Sequence, residues 1–217
     1  MVHTNQSNNQ MRILFLLVLL TSSWVLTQVA QIHATNSDKV QEGIANEIIR
    51  FHVVANSDSD EDQQLKYLVK DALVQSLHPY LKDAKNVDES QDIISNLLPL
   101  IQNTAAHVIE ENGYKYPITA SLSPFYFPMK IYGDYTFPPG YYEALQVRIG
   151  KGEGKNWWCV MFPPLCFVDE TYSIVDEEGE EKLECLLSEE EFEALKNKKL
   201  PIKIRIKIID YIKKLFS

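Results

Sequence analysis

Apolar residues recur along this chain in two rhythms. Over Ile44–Ala55 they alternate with polar ones, with Ile49, Phe51 and Val53 on one face and Arg50 and His52 on the other, which predicts a first strand. Asn56-Ser57-Asp58-Ser59-Asp60 ends that strand, and Asp58 or Ser59 is placed to cap a helix, with Glu61 or Asp62 in its first turn favoured by the helix dipole. Leu65, Leu68, Val69, Ala72, Leu73 and Leu77 then follow at helical spacing as far as Pro79. A second helix is predicted over Val87–Glu111, with a kink or break near Asn96–Pro99 and a stop at Asn112-Gly113. Two strands are expected over Tyr116–Leu122 and Met129–Phe137, joined by extended proline-containing segments.

The stretch from Gly140 to Phe167 is apolar and aromatic and carries two of the three cysteines. It reads as strands Tyr142–Ile149 and Trp157–Phe162, paired as a hairpin across a long loop at Gly150–Asn156. The loop carries three glycines and the alternating charges Lys151, Glu153 and Lys155, so it is expected at the surface. The element order therefore predicts an α+β fold: a mostly antiparallel sheet of about five strands, with two main helices packed on one face. Beyond it, a short strand over Thr171–Val175 and a capping box at Ser188-Glu189-Glu190-Glu191 are expected. Ile202–Ile208 alternates like a strand, whereas Ile208–Phe216 has a helical rhythm.

Arg12 precedes the apolar run Ile13–Leu20, followed by a weaker, polar-interrupted stretch to Ala30. That is the pattern of a secretory signal, or of an N-terminal anchor if it is not cleaved. No cysteine follows the run, which argues against a lipoprotein. Residues 1–34 are assigned to this segment, 35–43 to a linker, 44–168 to the α+β domain and 169–217 to an acidic and then basic extension. The chain beyond the N-terminal segment is expected outside the cytoplasm.

The net charge of −9 disfavours a nucleic-acid partner. Charge is unevenly placed: Asp176–Glu193 holds ten acidic residues and one lysine, and Lys196–Lys214 holds eight basic residues and one aspartate. The two runs read as solvated faces, with contact between the basic tail and an anionic membrane surface or an acidic partner as the sharper alternative. The cysteines at 159, 166 and 185 form no C-x-x-C, so zinc and thioredoxin-type chemistry lack support. Cys159 and Cys166 flank Pro163-Pro164, and a chain reversal there would bring them within bridging distance; two buried thiols are the alternative.

His52, Ser57 and Asp58 contain the groups of a hydrolytic triad, but no G-x-S-x-G surrounds any serine, and Ser57-Asp58 reads first as a cap. No H-E-x-x-H occurs, and the glycine loop lacks the phosphate-loop spacing. No catalytic residue, cofactor or metal is assigned, and an enzyme is not expected. Trp157 and Trp158 are adjacent on a strand and so face opposite ways. With Phe125, Tyr126, Phe127, Tyr132, Tyr135, Tyr141 and Tyr142 they either cover the sheet or leave an exposed aromatic patch for a partner.

Three runs carry a resemblance: IIRFHVVANSDSDEDQQLKYLVKDAL at Ile48–Leu73, GYKYPITASLSPFYFPMKIYGDYTFPPGYYEAL at Gly113–Leu145, and NWWCVMFPPLCF after IGKGEGK. Together they span Ile48–Phe167 and resemble the stage II sporulation protein R family of endospore-forming bacteria. The resemblance implies a non-enzymatic signal, exported into the space between the forespore and mother-cell membranes. There it would act on the extracytoplasmic side of a membrane-bound peptidase that processes the mother-cell pro-sigma factor. The candidate partner-binding residues are Asn56, Ser57, Asp58, Lys151, Glu153, Lys155, Asn156, Trp157 and Trp158. A secreted cell-wall hydrolase or carbohydrate-binding module is the alternative, since adjacent aromatics also stack on sugars.

Overall fold

The computed structural model describes residues 3–167, 175 and 177–196. The described residues fall into two compact units, divided between residues 39 and 40. Helix α1 (His3–Glu47) has residues in both units and, in the first, exposes Phe15–Leu20, Trp24 and Val25. Among the described residues no helix is long and apolar enough to cross a membrane. The strand expected over Thr171–Val175 lies, apart from Val175, outside the described residues, as does the basic tail beyond Lys196 with its two rhythms.

In the second unit the elements are β1 (Ile49–Val54), α2 (Asp60–Leu81), α3 (Val87–Glu111), β2 (Ile118–Phe127), β3 (Lys130–Tyr132), β4 (Tyr135–Phe137), β5 (Gly140–Ile149), β6 (Asn156–Phe162), a 3-10 turn (Leu165–Phe167), α4 (Glu177–Leu186) and α5 (Glu189–Lys196). The fold is α+β, as expected, but the main sheet has four strands in the order β2-β5-β1-β6 and is mixed. β1 runs parallel to β5 and antiparallel to β6, while β2 and β5 are antiparallel. The parallel pair arises because α2, α3 and β2 intervene between its strands, long enough for a crossover. β3 and β4 form a separate two-stranded sheet.

Several sequence expectations change for physical reasons. Residues 35–43, read as a linker, and Ile44–Glu47, read as strand, are helical. Ile44 and Ile48 are buried four residues apart, one helical turn. The single strand expected over Met129–Phe137 is a hairpin, because Gly133 turns the chain at φ 58°. β2 runs on to Phe127 through Pro124, which an edge strand tolerates. α3 is not broken at its exposed Pro99; Ile94, Ile101, Ala105 and Ile109 hold both halves to the core. The β5–β6 hairpin does not form, since β1 lies between the two strands.

The helical face of the sheet is the one read from the pattern. Ile49, Phe51 and Val53 of β1, with Leu145, Val147 and Ile149 of β5, pack under Leu65, Val69 and Leu73 of α2 and Ile94, Ile101 and Ala105 of α3. The opposite face is covered as well. Ile44 and Ile48, Phe127, Phe137, Tyr142, Ala144 and Val160 share a second core with Leu183 of α4 and Phe192 and Leu195 of α5. The capping box at Ser188 forms: its N–H donates to Glu191 Oε2 at 2.8 Å and its Oγ accepts from the Glu191 N–H at 3.4 Å.

Arg50 lies in that second face and is fully buried. Its guanidinium carbon sits 4.6 Å from the Phe127 ring centre, 5.2 Å from Phe137, 5.3 Å from Tyr142 and 5.9 Å from Tyr132. Nε donates to the Cys159 carbonyl at 3.2 Å and Nη2 to the Tyr132 hydroxyl at 3.3 Å, while Nη1 has no partner. Tyr132 in turn donates to the Trp158 carbonyl at 3.0 Å. Burial pulls the Arg50 pKa below its usual value, and Tyr132 and Tyr142 offset part of that pull.

Arg50 makes no salt bridge with a described residue, so a long apolar side chain would remove its desolvation cost without stranding a carboxylate. Arg50→Ala is expected to cost about 3–5 kcal/mol through the cavity and the lost donors. Arg50→Met is expected to cost at least about 1 kcal/mol less. Urea unfolding of the two variants checks the order.

Candidate functional site

With β1 between β5 and β6, the segment from Gly150 to Lys155 has to pass across the C-terminal end of β1. There it meets the Asn56–Asp58 turn, which leads from β1 into α2. The two segments are knitted by backbone donors of the loop. The N–H of Lys151 donates to Asn56 Oδ1 at 3.0 Å, that of Glu153 to the Asn56 carbonyl at 3.2 Å, that of Gly154 to the Ala55 carbonyl at 3.0 Å and that of Lys155 to Asp58 Oδ1 at 2.7 Å. Gly150 and Gly152 donate to Pro117 and Ile149 at 2.8 and 3.0 Å. All six N–H groups of the loop are therefore spent internally, and none is left to cradle a phosphate.

Two glycines make the crossing possible. Gly152 takes a φ of 62°, and a Cβ on Gly154 would run into the Ser57 carbonyl oxygen. Beneath the turn lies Asp62, a buried carboxylate that the sequence pattern marked only as a first-turn acid. Its Oδ2 accepts from Ser57 Oγ at 2.5 Å and from Asn56 Nδ2 at 2.8 Å. Burial alone would raise this carboxyl, but hydrogen bonds from Ser57, Asn56 and Tyr116 together hold it below the usual aspartate range. The spacing Ser59-x-x-Asp62 was the available signal: Ser59 caps α2 by accepting from the Asp62 N–H at 3.3 Å. Lys66, also missed, donates to Gln63 Oε1 at 2.7 Å and to the Lys155 carbonyl at 3.4 Å.

The structure thus brings Asn56, Ser57 and Asp58 together with the 150–155 loop. Asn56 and Ser57 are half-buried and face inward, whereas Asp58, Lys151, Glu153, Lys155 and Asn156 are exposed. The groups of the triad considered above have three different partners: His52 Nε2 pairs with Asn156 Oδ1 at 2.9 Å, Ser57 with Asp62, and Asp58 with the Lys155 N–H. Among the described residues no three His, Cys, Asp or Glu side chains converge to hold a metal ion.

Trp157 and Trp158 point to opposite faces and are both half-buried. Trp157 lies on the α2 side, edge-on to Tyr67 with Lys70 Nζ 4.8 Å from its ring centre. Trp158 stacks flat on His52, with centroids 4.0 Å apart and planes 3° from parallel, beside Phe125 and Phe127. Facing apart, the pair offers no joint platform for a sugar ring. Cys159 and Cys166 form a disulfide with their Cα atoms 5.6 Å apart, and Cys185 is a free, exposed thiol.

The sequence profile of the family described as Stage II sporulation protein R matches residues 45–172, which contain every one of these contacts. The chain belongs to the stage II sporulation protein R family. A curated relative, the Stage II sporulation protein R of Bacillus subtilis strain 168, is 38% identical over 149 residues. That alignment covers 69% of this chain and 66% of the relative, so the chain spans just under two thirds of its length. No solved structure matches. The family match supports a role in sporulation.

Two expected outcomes follow from this geometry. Gly154→Ala and Asn56→Ala each unpick the crossing, so either is expected to cost about 1–3 kcal/mol and to speed hydrogen exchange of the 151–155 amides. Unchanged exchange would mean the loop is held by something else. His52 is pushed below its ordinary value of 6.5 by burial, with Asn156 opposing and Arg148 adding to the shift. The unfolded chain therefore takes up a proton as pH falls below about 6.5, while folded His52 stays neutral, so stability drops through that range. His52→Gln is expected to flatten this drop in urea midpoints. The Asp62 contribution is lost only at lower pH, below its ordinary 3.8.

Proposed function

We propose that this chain is an exported sporulation signal. It acts in the space between the forespore and mother-cell membranes, on the extracytoplasmic side of a membrane-bound peptidase that processes the mother-cell pro-sigma factor. The observation that carries the reading is the preformed crossing of the 150–155 loop over the Asn56–Asp58 turn. Its backbone is satisfied internally, and it presents Lys151, Glu153 and Lys155 to solvent as an alternating row of charge. Such a tip is suited to recognition, and the separate partners of His52, Ser57 and Asp58 leave no relay there for chemistry. Family membership supplies the sporulation context. To activate the peptidase, the tip has to bind its active state more tightly than its resting state, since equal binding shifts nothing.

The test is co-expression of the full chain, directed outside the cytoplasm, with the sigma-processing peptidase and its pro-sigma substrate in a non-sporulating host. Processing is expected only when the chain is present. Lys151→Ala/Glu153→Ala/Lys155→Ala is expected to lower processing at least about tenfold, the scale of a lost interface hot spot. Its melting temperature should stay unchanged, because those side chains are exposed. Undiminished processing by the triple variant would remove the tip from the interface; no processing by the parent chain would overturn the signalling reading.

A further inference from the structure

We propose that β2 is the interface through which two copies of this chain pair, antiparallel and about a two-fold axis at Ala120, so that their four-stranded sheets join edge to edge. The two edges of the sheet, β2 and β6, differ. At the β6 edge the Trp158 carbonyl is taken by the Tyr132 hydroxyl. The β2 edge lies open, with Thr119 and Ser121 exposed. Its pairing with β5, and the bond from the Gly150 N–H to the Pro117 carbonyl, fix which backbone groups point inward: those of every second residue from Pro117 onward. The N–H and C=O of Ile118, Ala120 and Leu122 therefore point out of the sheet, and no described residue hydrogen-bonds to them. Edge strands are ordinarily guarded by charge, proline or a bulge. Pro124 guards the last part of β2, but the strand holds no charged residue, and Ile118–Ser123 has no guard of any kind.

The surroundings of this edge fit a second copy of itself. With Ala120 facing Ala120 across the axis, Ile118 faces Leu122 of the second copy, and their outward N–H and C=O groups complete a ladder in both directions. These side chains lie on the α2–α3 side, where they only partly cover the aliphatic core, and pairing closes that flank. The same register puts Tyr126 of one copy opposite Tyr114 of the other. Tyr126 is 51% exposed and stands edge-on to Tyr141, which is 68% exposed. Tyr114 lines a cavity of about 550 Å³ with Ala106, Glu110, Lys115 and Tyr116. The exposed tyrosine of each copy thus meets the cavity of the other, where the Glu110 carboxylate is an acceptor for its hydroxyl. Charge matches as well. Glu143 is in register with Pro124, and Pro124 falls opposite Tyr116 of the second copy, next to its Lys115. Neither Glu143 nor Lys115 has an ion pair with a described residue. An uncharged seam flanked by opposite charges lets two copies meet although each carries a net charge of −9.

The experiment is register-specific cross-linking of the full chain. Cys185→Ser removes the free thiol, so a cysteine introduced in β2 is the one left to react. Facing residues of a hydrogen-bonded antiparallel pair have Cα atoms about 5.5 Å apart, within disulfide reach, whereas the two copies of residue 121 lie diagonally, at about 7–8 Å. Under mild oxidation Cys185→Ser/Ala120→Cys is expected to form a disulfide-linked dimer of twice 25.0 kDa, at least about tenfold more of it than Cys185→Ser/Ser121→Cys. Association through the exposed run Phe15–Leu20 would not distinguish residue 120 from residue 121. In the parent chain, hydrogen exchange of the Ile118, Ala120 and Leu122 amides is expected to slow as protein concentration rises. Tyr126→Ala should need about tenfold more protein for the same slowing. Equal cross-linking at 120 and 121, none at either, or exchange that does not depend on concentration would each overturn the proposal. None of these readouts involves export or the peptidase, so they leave the signalling reading to its own test.

Discussion

β1 has neither a free face nor a free edge. All six of its residues are buried, β5 runs along one side and β6 along the other, and a core packs on each surface. A strand so placed fixes the geometry around it. Its helical face sets the register of α2 and α3, its other face admits Arg50, and its C-terminal end is the point over which the chain has to pass to reach β6. The Asn56–Asp58 turn and the glycine loop meet because the sheet order leaves them no separate routes.

The two faces of β1 are stabilised differently. The helical side is aliphatic packing, where burial at roughly 25 cal/mol per Å² dominates. The other side is built around a buried cation among four rings, with a chain of hydrogen bonds from Arg50 through Tyr132 to the Trp158 carbonyl. That arrangement has direction. It ties the small β3–β4 sheet and β6 to one point on β1, and dispersion alone would not choose that point so sharply.

The alternation of Ile49, Phe51 and Val53 against Arg50 and His52 was enough to orient β1, and the 3–4 spacing located both helices. Chain pairing was not legible. The β5–β6 hairpin looked secure because the strands are consecutive and the loop is rich in glycine, yet nothing local reveals that a strand a hundred residues earlier lies between them. Ile44 and Ile48 misled because a short apolar run fits both periods. Within the site, the polar turn and the charged loop were each visible as exposed segments. Their mutual contact depends on the sheet order, and Asp62 looked like an ordinary helix-dipole acid until the turn folded over it.

The internal bonding of the crossing constrains how anything could read it. A partner that paired with the loop backbone would first have to break bonds to Asn56, Ala55 and Asp58, each an exchange with little net gain. Recognition is therefore left to shape and to the outward side chains. Because the loop is already ordered, binding costs little backbone entropy, and the chief ordering cost is that of the Lys151, Glu153 and Lys155 rotamers, about 0.5–1.5 kcal/mol each. Contacts made by exposed charges are screened within about 10 Å at moderate salt, so an interface of this kind gains much of its association rate from charge and loses it as ionic strength rises. For the signalling role proposed above, an interface of that strength suffices only if it distinguishes the partner's two states.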